Sequence, residues 1–123
     1  MVALRRVDLC AGCQGGASVV PSRAGCLNPD TLQMEHAWDI VAQTRYVYAN
    51  LMKVLEAAGV GPEAVVKTIE FVTPEGLRNY RATAGVRREF FQPPYPTATG
   101  IICEALLRPE MLIEVDAWAV VPA

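Results

Sequence analysis

The sequence predicts an α+β fold, one mixed β-sheet covered on a single face by two helices. Three observations carry this expectation. The stretch Met111–Val121 alternates strictly, placing Met111, Ile113, Val115, Ala117, Ala119 and Val121 on one side and Leu112, Glu114, Asp116, Trp118 and Val120 on the other. Residues 38–58 set Ile40, Val47, Leu51, Val54 and Ala58 at helical spacing, with Val41 and Leu55 alongside, a stripe wide enough to cover a sheet. The rest of the chain switches between these two periods, in the order strands, helix, strand, helix, strand, strand.

Each element has a local cause. In residues 1–34, Val2, Leu4, Val7 and Leu9 suit a first strand and Val19-Val20 a short second one, before the turn sequence Asn28-Pro29-Asp30-Thr31. The helix over 38–58 ends at Gly59, where a left-handed C-terminal residue is expected. Val65–Thr73 is rich in β-branched residues and predicts a strand. Thr73-Pro74-Glu75 pairs a capping hydroxyl with proline and an acid in the first turn, so a second helix is expected from Pro74 to Phe91, with Leu77, Tyr80, Ala84 and Phe91 inward. Gln92-Pro93-Pro94-Tyr95-Pro96 stops it. Thr97–Leu107 is the next strand, and Arg108-Pro109-Glu110 is short enough for a hairpin, which would make the last two strands adjacent and antiparallel.

Composition narrows the function. The 123 residues suffice for one domain, residues 1–123, with a real core. Eleven Lys and Arg against thirteen Asp and Glu argue against an electrostatic grip on nucleic acid. No apolar run approaches the ~20 residues of a membrane span. Arg5 and Arg6 precede no apolar segment of the signal-peptide kind, so the cytosol is the expected compartment, with its cysteines reduced.

Candidate chemistry begins with Glu114 and Asp116. Their side of the last strand is otherwise apolar, so it should meet a partner or a cleft, and a buried acid is costly unless something compensates it. Cys10-Ala-Gly-Cys13, with Cys26 and His36, is a lone CxxC without the second pair of a zinc centre; it predicts no metal and leaves a local disulfide open. Cys103 suits a small buried apolar position. Arg78, Arg81 and Arg88 suit a solvated helix face better than an anion or RNA site.

Several stretches together resemble the Rid family, the enamine/imine deaminases also called YjgF-type or L-PSP endoribonucleases. They are Asp39-Ile-Val-Ala-Gln-Thr-Arg45, Asn50-Leu-Met-Lys-Val-Leu-Glu-Ala-Ala-Gly59, Val65-Val-Lys-Thr68, Phe71-Val-Thr73, Glu89-Phe-Phe91 and Ile113-Glu-Val-Asp-Ala-Trp-Ala-Val120. With the turn at 28–31 they span residues 26–121, while residues 1–24 match poorly. The resemblance implies a chorismate-mutase-like fold and a homotrimer with clefts between subunits. It implies a small carbonyl or imine ligand, keto-acid-like, and hydrolytic deamination to a ketone and ammonia without metal or cofactor.

By the same resemblance Glu114 corresponds to the water-positioning glutamate, and Thr97, Ala98, Thr99 and Gly100 line the substrate site. Ala98 stands where the family has a carboxylate-binding arginine, Gly100 where it has a small polar residue or cysteine, and Ala84 where it has an asparagine. Gly100 would let a ligand approach the backbone, or would mark a β-bulge. Losing the arginine's planar fork predicts weak activity on 2-aminoacrylate unless another arginine, such as Arg23 or Arg45, reaches the cleft. The alternatives are a non-catalytic small-molecule-binding or chaperone-like trimer and an endoribonuclease, which would have a single histidine to work with.

Overall fold

The computed structural model describes residues 18–122, with side chains from residue 25 onward. The elements are β1 (Ser18–Ala24), α1 (Ile40–Ala57), β2 (Val65–Val72), α2 (Pro74–Leu77), α3 (Thr83–Phe90), β3 (Thr97–Ile102) and β4 (Ile113–Val121). They form one four-stranded sheet in the order β1-β4-β2-β3. β4 runs antiparallel to β1 and β2, and β3 runs parallel to β2, so the sheet is mixed as expected. β4 contains neither proline nor glycine and pairs on both edges. Pro21 lies in β1, an edge strand, where a missing N–H is tolerated. The first strand expected near Val2–Leu9 lies outside the described residues.

α1 begins at Ile40, not Trp38. Trp38 holds φ of 64°, and the Asp39 carboxylate accepts the Ala42 N–H at 3.0 Å as the N-cap. Gly59 takes the left-handed conformation, φ of 80°, that the C-terminus was expected to need. The Asn28 side chain accepts from the N–H of Asp30 (2.9 Å) and Thr31 (3.2 Å), which sets the predicted turn.

The core lies between the helices and one face of the sheet. Ile40, Val47, Leu51 and Leu55 of α1 pack with Val86 and Phe91 against Ile113, Val115, Ala117 and Ala119 of β4. Gln43 shares that buried face of α1. Its amide donates to the carbonyls of His36 (3.0 Å) and Glu110 (2.7 Å) and accepts the Leu112 N–H at 2.8 Å, fastening α1 to the entry of β4.

Three expectations need correcting. β3 and β4 are not a hairpin: β2 lies between them. Residues 103–112 cross the end of β2, where Cys103 N donates to Val72 O and Thr73 N donates to Leu112 O, both at 3.0 Å. β3 ends at Ile102, leaving Cys103 half-buried just beyond the strand. The second helix is interrupted. Thr73 caps α2 as predicted, its hydroxyl accepting Gly76 N–H, but Asn79 leaves helical geometry at φ −124°, ψ 16°, and a 3₁₀ turn at Tyr80–Ala82 leads into α3. Both sides of the break are anchored. The Gly76 backbone sits so close to Leu112 that an added Cβ would come within 2.8 Å of its carbonyl oxygen, and Tyr80 reaches back to a carboxylate in β2.

Candidate functional site

Strand register decides which side chains share a face. Thr68 of β2 lies between Ala117 and Ala98, and Glu70 lies between Val115 and Gly100. All six therefore point to the helix-covered side. The alternate positions Phe71, Glu114 and Ile101 point to the other side, which no element of the described chain covers.

Glu70 is the centre of the helix side. It is 1% exposed and its carboxylate is fully engaged. The Tyr48 hydroxyl donates to it at 3.0 Å, the Tyr80 hydroxyl at 2.6 Å, and Arg87 Nη1 at 3.0 and 3.1 Å. Arg87 Nη1 also donates to the Thr83 hydroxyl at 2.8 Å, and its guanidinium lies 5.4 Å from the Tyr80 ring centre. The break between α2 and α3 is what delivers Tyr80 to this cluster. Burial, and secondarily the Glu70 charge, pushes the Tyr48 hydroxyl far up; burial and the hydrogen bond to Glu70 push Tyr80 up to about 12. Both remain neutral donors at physiological pH, so a buried carboxylate is held by three donors of which one carries charge.

Over this cluster, under β3, lies a cavity of about 380 Å³. Thr68, Arg87 and Arg88 supply its polar groups, Ala84 and Ala98 leave it open, and Tyr48, Phe91 and Tyr95 form apolar walls. Its size falls in the ~300–1,000 Å³ range of small-molecule sites.

The residues singled out from the sequence divide between the two faces. Ala98 and Gly100 belong to the helix side; Thr97, Thr99 and Glu114 belong to the open side. The Thr97 hydroxyl donates to the Val66 carbonyl at 3.2 Å. Gly100 is not a bulge, because β2–β3 pairing is continuous through it, and a Cβ there would make ordinary contact with the Tyr80 hydroxyl at 3.5 Å. Glu114 Oε1 lies 3.7 Å from where a Cβ on Gly25 would sit. The neighbouring Cys26 thiol is buried and pushed up to about 11, first by desolvation, with the charges of Glu114 and Glu110 adding. Asp116 and Trp118 share the open face, with Lys67 Nζ 5.2 Å over the Trp118 ring.

Of the two arginines suggested as a substitute for the family's, Arg45 does not line the cavity. Arg45 makes a bidentate pair with Glu89 at 2.8 and 3.0 Å on the exposed outer side of the helices. Arg23 is in register with Asp116 on β1, and its side chain is outside the description. Arg87 and Arg88 line the cavity instead. Among the described residues no three His, Cys, Asp or Glu side chains could hold a metal ion; Cys10 and Cys13 lie outside them.

Sequence reasoning missed Glu70, Arg87, Tyr48 and Tyr80 as one unit. A signal existed. Glu70 falls in step with Thr68 and Val72, the buried side of a strand, and a buried acid requires a cation or several donors. Arg87 lies off the stripe that Arg78, Arg81 and Arg88 form on an unbroken helix, so helical spacing alone does not single it out.

A family model described as endoribonuclease L-PSP matches residues 14–121. The RutC family protein slr0709 of Synechocystis is 30% identical over 96 residues, covering 78% of this chain and 72% of that protein. Among solved structures, the YjgF gene product of E. coli matches with a TM-score of 0.71 at 27% identity, over 94% of this chain and 84% of that one. YyfB of Yersinia pestis, a protein of the conserved Rid family, matches with a TM-score of 0.70 at 31% identity, over 86% and 80%. The chorismate-mutase-like α+β arrangement is shared with these structures.

Proposed function

We propose, from the premise that the chain belongs to the endoribonuclease L-PSP family, home of the Rid and YjgF proteins, that it binds a small carbonyl or imine compound in clefts between the subunits of a cytoplasmic homotrimer. There it hydrolyses an enamine or imine to a ketone and ammonia. The observation that carries this reading is the division of the candidate residues. Glu114 lies on the open face, Ala98 and Gly100 lie on the helix face, and β3 is an exposed edge strand whose outer edge pairs with no described strand. One chain cannot bring both faces of its own sheet to one reacting atom. A second copy along the β3 edge can supply the glutamate that the first copy's cavity lacks.

In this mechanism Glu114 takes a proton from water as the oxygen adds to the C=N carbon. It returns that proton to the nitrogen, giving a carbinolamine, and then carries the new hydroxyl's proton to the nitrogen as the C=O forms, the C–N bond breaks and ammonia leaves. Backbone groups near Gly100 hold the substrate. Subunit mixing tests the shared cleft. Glu114→Ala and Ala98→Trp are each expected to be inactive on 2-aminoacrylate in a coupled assay, and to recover part of the activity when unfolded and refolded together. Two folded variants that show no recovery on mixing refute the shared cleft. A Glu114→Ala protein that works at the native rate refutes the glutamate's role.

A second reading is a non-catalytic small-molecule-binding trimer. Ala98 and Ala84, in place of an arginine and an asparagine, favour it, and it requires binding without turnover. Ribonuclease action has less support. The chain has one histidine, His36, whose ring stacks edge-on against Tyr46 at 5.9 Å, so no histidine pair can share acid and base roles.

A further inference from the structure

We infer that Arg87, held in place by buried Glu70, is the anion grip of the cavity under β3, and that the cavity takes a 2-oxo or 2-imino acid with an apolar or aromatic side chain. This rests on the reading of that cavity as the ligand site.

Four observations lead to it. The guanidinium is already fixed: Nη1 alone serves Glu70 and Thr83, while Nε and Nη2 donate to no described residue. Those two donors form the planar fork that matches a carboxylate, and their orientation is set before a ligand arrives. The Glu70–Arg87 pair is neutral by itself, but Arg88 at the cavity wall has no ionic partner among the described residues, so the site carries net positive charge. Thr68 is 1% exposed, lines the cavity, and its hydroxyl has no hydrogen bond to a described residue, which leaves it for the ligand's carbonyl or imino group. Finally, alanines at 84 and 98 open space beside Tyr48, Phe91 and Tyr95, more than a three-carbon acid needs. The small residues and the relocated arginine thus have one common explanation. The carboxylate is gripped from α3 instead of from β3, and the volume left open at Ala98 and Ala84 receives a side chain.

Isothermal titration of the full chain with phenylpyruvate, pyruvate and phenylacetaldehyde tests this. Phenylpyruvate is expected to bind about tenfold or more tighter than either of the others, which lack the ring and the carboxylate respectively. Arg87→Lys keeps a charge beside Glu70 but loses the fork, and should weaken phenylpyruvate about tenfold while leaving phenylacetaldehyde unchanged. Glu70 acts through Arg87 as a positioning residue, so Glu70→Gln should narrow the ratio between those two ligands, which a purely structural role would not do. If Arg87→Lys does not fold, exposed Arg88→Gln should still lower affinity for phenylpyruvate severalfold and not for the aldehyde. Ala98→Trp should block both ligands. Equal binding of phenylpyruvate and phenylacetaldehyde, or native affinity for phenylpyruvate in Ala98→Trp, overturns the inference. Binding of a 2-oxo acid needs no turnover. An inactive protein with the expected affinities therefore refutes only hydrolysis, and an active one with native affinity in Arg87→Lys refutes only the grip.

Discussion

Removing Arg87 should expose how much of this fold depends on one buried charge. Glu70's side chain is 2% exposed and Arg87's is 26% exposed. In Arg87→Met the carboxylate keeps its hydrogen bonds from Tyr48 and Tyr80 but loses its only cationic partner among the described residues. Breaking a buried pair from one side costs ~3–5 kcal/mol, and the two tyrosines place the expected loss near the lower end. Glu70→Gln leaves the opposite partner, which can turn toward water, so a smaller loss of ~1–2 kcal/mol is expected. The double variant Glu70→Gln/Arg87→Met buries no charge and should cost less than the sum of the singles by ~1–3 kcal/mol. Urea unfolding followed by circular dichroism, at one fixed protomer concentration because assembly would shift apparent stability, measures all four corners of the cycle. Single losses that add to within ~0.5 kcal/mol would show that the two residues are not coupled. A loss below ~1 kcal/mol in Arg87→Met would show that Glu70 does not depend on the arginine.

Gln43→Leu removes three hydrogen bonds of a buried side chain, two of which join α1 to the entry of β4, and the same assay should show a loss of ~2–4 kcal/mol. A change within ~0.5 kcal/mol, the range of ordinary surface substitutions, would contradict the clasp. Gly76→Ala would push a Cβ to 2.8 Å from the Leu112 carbonyl oxygen and 3.0 Å from its Cβ, for an expected loss of ~1–3 kcal/mol; a neutral result would mean that α2 shifts freely. Alkaline pH should also destabilise the fold. Tyr80 is raised from 10 to about 12 and Cys26 from 9 to about 11, so the unfolded chain releases these protons first. The folded state then holds more protons, and stability is complete below about pH 9 and falls as pH climbs through 11 and 12. Urea midpoints that rise over this interval would reverse the sign of that argument, and Tyr80→Phe should flatten the decline.

The elements themselves were legible because their signals are local. Asp39 and Gly59 bound α1, Thr73 caps α2, Asn28 closes its turn, and strict alternation marks β4. The fold class follows from their order, and Glu114, Asp116 and Trp118 of β4 do lie on the side away from the helices, whereas Leu112, expected on that side, precedes the strand and is buried in the core with Ile40 and Ile113. The helix break escaped notice because Leu77, Tyr80 and Ala84 keep helical spacing across it, while its anchors are distant: Leu112 against Gly76, and Glu70 beneath Tyr80.

Strand partnership was also undecidable locally. Arg108-Pro109-Glu110 does make a tight turn, with Met111 N–H donating to the Arg108 carbonyl at 3.0 Å, but the turn lies inside a connection that steps across β2. The sequence by itself determined the periods, the caps and the presence of a costly acid on β4. Only the tertiary structure decided that Glu114 and Ala98 lie on opposite faces, and that Tyr48, Glu70, Tyr80 and Arg87 meet. Period and capping are settled within a turn or two of chain, whereas a charge cluster exists only once sheet register and helix docking have brought distant residues to one point.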